Sequence, residues 1–180
     1  MTNSDSSSGT VLVTGGAGYI GSHTVRALRE AGRKVAVLDS LELGRADAVL
    51  DAPVVVGDIN DRELVVETCR EHGVSQLVHF AAYKNVGESM QHPERYWRNN
   101  VSGSVELFEA CREANVDQIV FSSSCSVYGN PDQVPVTEAA AIQPESVYAE
   151  TKAMVERILH WYGTTAGMRS VSLRLSLIHI

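Results

Sequence analysis

The sequence predicts an α/β domain built on a doubly wound parallel sheet. Three observations carry this expectation. Short apolar runs alternate with helical patterns along the chain, a rhythm that implies parallel strands joined by right-handed crossover helices. The first run passes directly into Gly15-Gly16-Ala17-Gly18-Tyr19-Ile20-Gly21, with four glycines in seven residues. The polar residues of interest stand where strands end, and in such sheets ligands bind at the carboxyl ends of strands.

The first element is the strand Val11-Leu12-Val13-Thr14, and the first helix follows the glycines, with Ile20, Val25, Ala27, Leu28 and Ala31 as its apolar residues and Gly32 as its end. Strand, tight turn and helix in that order make a phosphate-binding turn. Gly15, Gly18 and Gly21 allow the chain to reverse, a pyrophosphate to touch backbone, and the helix to pack close to its strand. The N–H groups opening the helix would face the phosphates. A second apolar run, Val35 to Leu38, ends in Asp39. This acid stands roughly 20 residues beyond the turn, where a carboxylate binds the adenosine ribose hydroxyls. It would repel a 2′-phosphate, so NAD is favoured over NADP.

Further strands are expected at Pro53 to Gly57, Gln76 to Phe80, Gln118 to Phe121 and Ser170 to Arg174. Helices are expected from Asp61 to His72, from Pro93 to about Asn115 and from about Val147 to Gly163. Pro93 suits a first helical turn. Asn130 to Pro144 reads as a loop, and the polar, Ser-rich stretch before Thr10 as a disordered tail.

At 180 residues with 44% hydrophobic and 21% charged residues, the chain suits one globular domain. A net charge of −7 argues against nucleic acid as its main partner, and no apolar run approaches a membrane span. Cys69, Cys111 and Cys125 are widely spaced and form no CxxC pair. They read as reduced thiols of a cytoplasmic protein, with no metal site and no disulfide framework.

The most informative chemical pair is Tyr148 and Lys152, at i and i+4 on one helix face. A phenol is a poor base at neutral pH, but a nearby ammonium is expected to lower its pKa. Tyr148 would then exchange a proton with a substrate hydroxyl while a nicotinamide exchanges hydride with the same carbon. Ser124, at the exit of the fifth strand, would hydrogen-bond that hydroxyl.

These residues resemble the extended short-chain dehydrogenase/reductase superfamily, whose NAD-binding domain is Rossmann-like. A narrower resemblance, to the UDP-glucose 4-epimerase family, rests on several segments. They are Gly15 to Thr24, His79-Phe80-Ala81-Ala82-Tyr83-Lys84, Val86-Gly87-Glu88-Ser89, Asn99-Asn100-Val101 and Ser122 to Gly129. The resemblance covers about Thr10 to Arg174. It implies reversible exchange of UDP-glucose and UDP-galactose through a 4-keto intermediate, with Tyr148 as the proton-transfer group. It implies that Tyr19, Ile20, Asp39, Asp58, Ile59, Phe80, Ala81, Ala82, Lys84, Asn99, Tyr148 and Lys152 contact NAD. It also implies a homodimer through the helices at 93–115 and 147–163. Another nucleotide-sugar 4-epimerase, a 4,6-dehydratase or a decarboxylase is the alternative, as is NAD binding without turnover. A dehydratase would carry Asp-Glu after the position of Ser124, and this chain has Cys125-Ser126.

The match departs from the family in two places. Val147 and Ala149 flank Tyr148 where the family has Pro and Gly. After Arg174 the family continues into a second, sugar-holding domain, whereas Leu175 to Ile180 resembles the translation of a sequencing-library adapter. The expectation is that residues 175–180 are not native and that 10–174 form the NAD-binding domain.

Overall fold

The computed structural model describes residues 9–176. The expected tail, apart from Gly9, and residues 177–180 lie outside the described residues. Six strands form one parallel sheet: β1 (Thr10–Thr14), β2 (Val35–Asp39), β3 (Val54–Val56), β4 (Val74–His79), β5 (Gln118–Ser124) and β6 (Arg169–Leu175). Their order is β3-β2-β1-β4-β5-β6. The reversal of order around β1 is the switch point at which such sheets open a crevice.

Alternation along each strand divides the core in two. Leu12, Leu38, Leu77, Ile119 and Phe121 face one side, where α2 (Arg62–Glu71), α5 (Gly103–Glu113) and α6 (Val147–Ala166) supply Val65, Leu107, Phe108, Val155 and Leu159. Val11, Val13, Val37 and Val78 face the other, where α1 (Tyr19–Glu30) supplies Val25. Each such Leu or Phe buried from water contributes about 1.5–3 kcal/mol. The two faces are not equally covered. Val171 and Leu173 on β6 remain 57% and 42% exposed on the α1 side. An expected apolar residue of α1, Ala27, is also exposed.

The stretch expected as one helix from Pro93 to Asn115 is three segments. A short α4 (Pro93–Tyr96) leads into a π-helical run, Trp97–Ser102, and then into α5, which ends at Glu113. The wider turn changes which side chains face inward, and an apolar spacing near 3.6 does not register it. Asn100 is thereby buried, while the adjacent Asn99 stays half-buried. A second helix, α3 (Val86–Gln91), occupies the segment after β4 and was not expected. It is too short for a periodic signal, and Asn85 starts it by accepting from Glu88 N–H at 3.0 Å. The last helix runs on to Ala166 and ends where Gly167 adopts φ 71°.

The edge strand β6 is fastened by a polar cluster. Arg174 donates through Nε and Nη2 to the Glu156 carboxylate at 3.0 and 2.7 Å, and through Nη1 to the Tyr128 hydroxyl at 2.6 Å. The guanidinium pKa is raised by that carboxylate. Ser123 donates to the same carboxylate from β5.

At the end of β4, the His79 ring is 1% exposed. Ser104 Oγ donates to Asn100 C=O at 2.6 Å, so at His79 Nε2, 3.0 Å away, it accepts. Nδ1 therefore accepts from the Thr14 hydroxyl at 2.8 Å, and the ring is neutral with Nε2 protonated. Burial, with a smaller contribution from Lys152, pushes its pKa down to about 3 from 6.5.

Two outcomes are expected. The folded state binds His79's proton less readily than the unfolded chain, so stability is fully present above pH 6.5 and falls as pH drops toward about 3. The slope is about 1.4 kcal/mol per pH unit for one proton. Urea melts across that window should show it, with a shallower slope in His79→Gln. Gly21→Ala should cost roughly 1–3 kcal/mol in the same assay, because the added carbon would meet backbone.

Candidate functional site

Every candidate catalytic and cofactor-binding residue named from the sequence lines one cavity of about 580 Å³ at the carboxyl edge of the sheet. Gly15, Gly18, Tyr19, Ile20 and Gly21 come from the β1–α1 turn. Asp39 comes from the end of β2, and Asp58 and Ile59 from the exit of β3. Phe80, Ala81, Ala82 and Lys84 follow β4, Asn99 comes from the π-helical run, Ser124 from the end of β5, and Tyr148 and Lys152 from α6. The parallel direction of the strands explains the convergence, since all six release their chains on one edge.

The turn is shaped by two glycines. Gly15 sits at φ 69°, and a side chain there would come within 2.6 Å of Ala81 N. A Cβ on Gly21 would lie 2.2 Å from Gly15 O and 2.7 Å from Gly16 Cα. The helix thus starts against its own turn. Gly18 caps it without a side chain, and no acidic residue stands in its first turn. Ser22 makes the first helical bond, to Gly18 C=O at 2.9 Å. The donors before it precede the helical ladder at its positive end.

Asp39 is 8% exposed. One carboxylate oxygen accepts from Ala17 N–H and the other from Leu41 N–H, both at 2.9 Å. This clamp ties the exit of β2 to the glycine turn and keeps the carboxylate at the cavity wall. Gly44 packs beside it, where a Cβ would lie 2.9 Å from Asp39 Oδ1. Asp58 accepts from the backbone and side chain of Asn60 at 2.8 and 2.7 Å, and the neighbouring Ile59 is 3% exposed.

The start of α6 is set by two serines. Ser146 caps it by accepting from Ala149 N–H at 3.2 Å, and Ser89 accepts from Tyr148 N–H at 3.1 Å. This accounts for a well-formed helix start with Val147 and Ala149 beside Tyr148. Thr151 donates to Tyr148 C=O at 2.6 Å and accepts from Asn100 at 3.2 Å. Asn100 in turn grips Tyr83, accepting from its N–H and donating to its C=O, each at 2.9 Å.

The titration behaviour of the pair corrects the sequence reading. Lys152 was expected to depress the Tyr148 phenol. Burial instead raises the Tyr148 pKa, against a smaller lowering by the hydrogen bond with Ser124. Lys152 is 4% exposed and is pushed down to about 8 by burial. Its ammonium donates to Ser122 C=O at 2.9 Å and lies 4.9 Å from the Phe121 ring centre, against 5.8 Å from that of Tyr148. The i,i+4 spacing placed both side chains on one face, but β5 supplied a nearer partner for the ammonium.

Several interactions along the cavity carried no sequence signal of their own. The Ser122 carbonyl is a backbone group, Gly44 lies in an irregular loop, and Glu42 and Tyr83 meet only through folding, with Tyr83 O–H donating to Glu42 at 2.6 Å. Cys125 also lines the cavity, half-buried, while Cys69 and Cys111 are buried between α2 and α5. Among the described residues no cluster of His, Cys, Asp and Glu is placed to hold a metal ion, and no helix is long and apolar enough to cross a membrane.

Comparison with known proteins agrees with this architecture. Residues 11–178 match the model of the NAD dependent epimerase/dehydratase family. A UDP-glucose 4-epimerase of Azospirillum brasilense is 45% identical over 175 residues, which is 97% of this chain and 50% of that protein. One from Halalkalibacterium halodurans is 44% identical over 164 residues, 91% of this chain and 49% of that protein. The chain thus spans about half the length of the curated relatives it matches. The crystal structure of UDP-glucose 4-epimerase from Brucella ovis in complex with NAD superimposes with a TM-score of 0.91 at 42% identity, covering 93% of this chain and 51% of that one. With its six parallel strands, glycine turn and converging strand exits, this chain belongs to the NAD dependent epimerase/dehydratase family.

Proposed function

We propose that the chain is the NAD-binding part of a nucleotide-sugar 4-epimerase that interconverts UDP-glucose and UDP-galactose. The observation that carries the reading is the single cavity shared by the glycine turn, Asp39, Ser124, Tyr148 and Lys152. The residues fit a dinucleotide. The crowded approach of Gly21 to Gly15 leaves the uncapped start of α1 facing the cavity, which suits a pyrophosphate. The buried Asp39 carboxylate suits the hydroxyls of a ribose and opposes a 2′-phosphate. Lys84 and Asn99 on the wall, with Tyr19, Ile20, Asp58, Ile59, Phe80, Ala81 and Ala82, complete the contacts, and Lys152 serves the second ribose.

When bound, NAD supplies the hydride acceptor and donor at the sugar C4. Tyr148 takes the proton from the sugar 4-hydroxyl and later returns it to the same oxygen. Burial raises its pKa above the ordinary phenol value, so the phenol is protonated at neutral pH. The positive charge of an oxidised nicotinamide ring held beside it would favour the phenolate. Ser124 orients the 4-oxygen, and Lys152 holds its place through Ser122 C=O.

The sugar nucleotide is the expected substrate partner, and a second copy of the chain the expected protein partner. The dimer reading draws support from the outer face of α6, where Met154 and Trp161 are 38% and 58% exposed. Because the chain matches only half of its relatives' length, NAD binding without turnover is the expected behaviour of the 180-residue chain alone.

Three measurements test this. Titration with NAD should saturate the chain, and Asp39→Ala should weaken binding by roughly tenfold or more, the loss of one charge-assisted contact. A chimera completed with the second half of a curated relative should convert UDP-galactose to UDP-glucose. In it, Tyr148→Phe should lower kcat by roughly 10²–10⁴-fold, the usual weight of a proton-transfer group. Near-normal turnover would remove Tyr148 from its role.

A further inference from the structure

We propose that Glu42 and Arg95, with Tyr83 between them and Glu88 behind, form an ionic latch that closes the cavity over bound dinucleotide and sets how fast it leaves. The proposal rests on the dinucleotide reading of the cavity and concerns residues that reading does not use. Glu42 lies in the loop after β2, whose members Leu43 and Gly44 also line the cavity. Tyr83 follows β4 and also lines the cavity. In the sheet, β2 and β4 flank β1. A contact between their exits therefore bridges the glycine turn, across which a molecule stretched along the strand ends must lie.

The bridge is built unevenly, and the unevenness makes it a latch. Arg95 donates through Nη1 to Glu88 at 2.6 Å and through Nη2 to Glu42 at 2.5 Å, and its guanidinium carbon lies 3.9 Å from the Tyr83 ring centre. The Glu88 end is anchored, since the other Glu88 oxygen meets the hydroxyl of Tyr96, which is 0% exposed. The Glu42 end has no buried anchor. Its side chain is 48% exposed, and it is held by Arg95 and by Tyr83 O–H at 2.6 Å. Next to it, Leu41 sits at φ 58°, a conformation that a side chain other than glycine rarely adopts. The loop is thus held in a strained position by these two contacts together with the Leu41 N–H bond to Asp39. An isolated surface ion pair is worth little, but this one joins segments far apart in sequence and stacks on an aromatic ring that walls the cavity.

The test is the dissociation rate of NADH from the 180-residue chain, read as loss of its fluorescence on rapid mixing with excess NAD. Glu42→Gln and Arg95→Leu should each speed release by roughly three- to tenfold. The double variant should be no faster than the faster single, as expected for two halves of one contact. Wild-type release should quicken between about 50 mM and about 500 mM NaCl, and release from the variants should respond little, because salt screens exposed charges. Circular dichroism should show both variants folded, since neither side chain belongs to the core. Equal release rates for wild type and both variants, with NADH binding intact, would overturn the latch alone. Failure of the wild-type chain to bind NADH would overturn the dinucleotide reading and the latch together.

Discussion

A side chain on Gly21 would place its first carbon 2.2 Å from the carbonyl oxygen of Gly15. No side chain fits there, and the architecture depends on that gap staying empty. Because α1 starts against the turn, its open end faces the cavity rather than the sheet. Because Gly15 bends back at φ 69°, the chain after β4 can pass within 2.6 Å of where its side chain would be. The turn thereby brings the exits of β1 and β4 together, and the Asp39 clamp on Ala17 N–H adds the exit of β2. Three strand ends become one wall through backbone contacts that any bulkier sequence would separate.

Beneath that wall lies a buried polar layer. His79 is neutral, locked between Thr14 and Ser104. Asn100 grips the backbone of Tyr83 and reaches Thr151, which fastens the Tyr148 carbonyl. Each member has a partner, as a buried polar layer requires. Through it the segment lining one side of the cavity and the helix bearing Tyr148 and Lys152 hold a common position. Burial acts on the pair in opposite senses, raising the phenol and lowering the ammonium, because in each case the charged form is the one that loses hydration.

The surface above the cavity follows a different logic. Glu42, Arg95 and Glu88 are partly solvated and carry little stability individually. Their interest lies in joining segments that the core does not join. The floor is held by packing and satisfied hydrogen bonds, and the roof by charges that salt can weaken.

The sequence by itself determined the sheet class, because alternating apolar runs and helical patterns leave few other ways to bury both kinds of element. It determined the glycine turn, the acid after the second strand and the Tyr148–Lys152 face, because each is a short-range pattern whose spacing has one geometric meaning. It also carried the residues that line the cavity, most of them through motif resemblance rather than through periodicity. Tertiary structure alone decided the rest. The π-helical run hid inside an ordinary helical pattern, and α3 was too short to leave one. The partner of Lys152 is a backbone carbonyl on a distant strand, and burial raises the Tyr148 pKa where the spacing alone predicts a depression. Glu42 and Arg95 are ordinary charges in the sequence, 53 residues apart. Spacing along a chain reports neighbours within one element, whereas burial, dielectric and contacts across strand exits exist only once the sheet has gathered its ends.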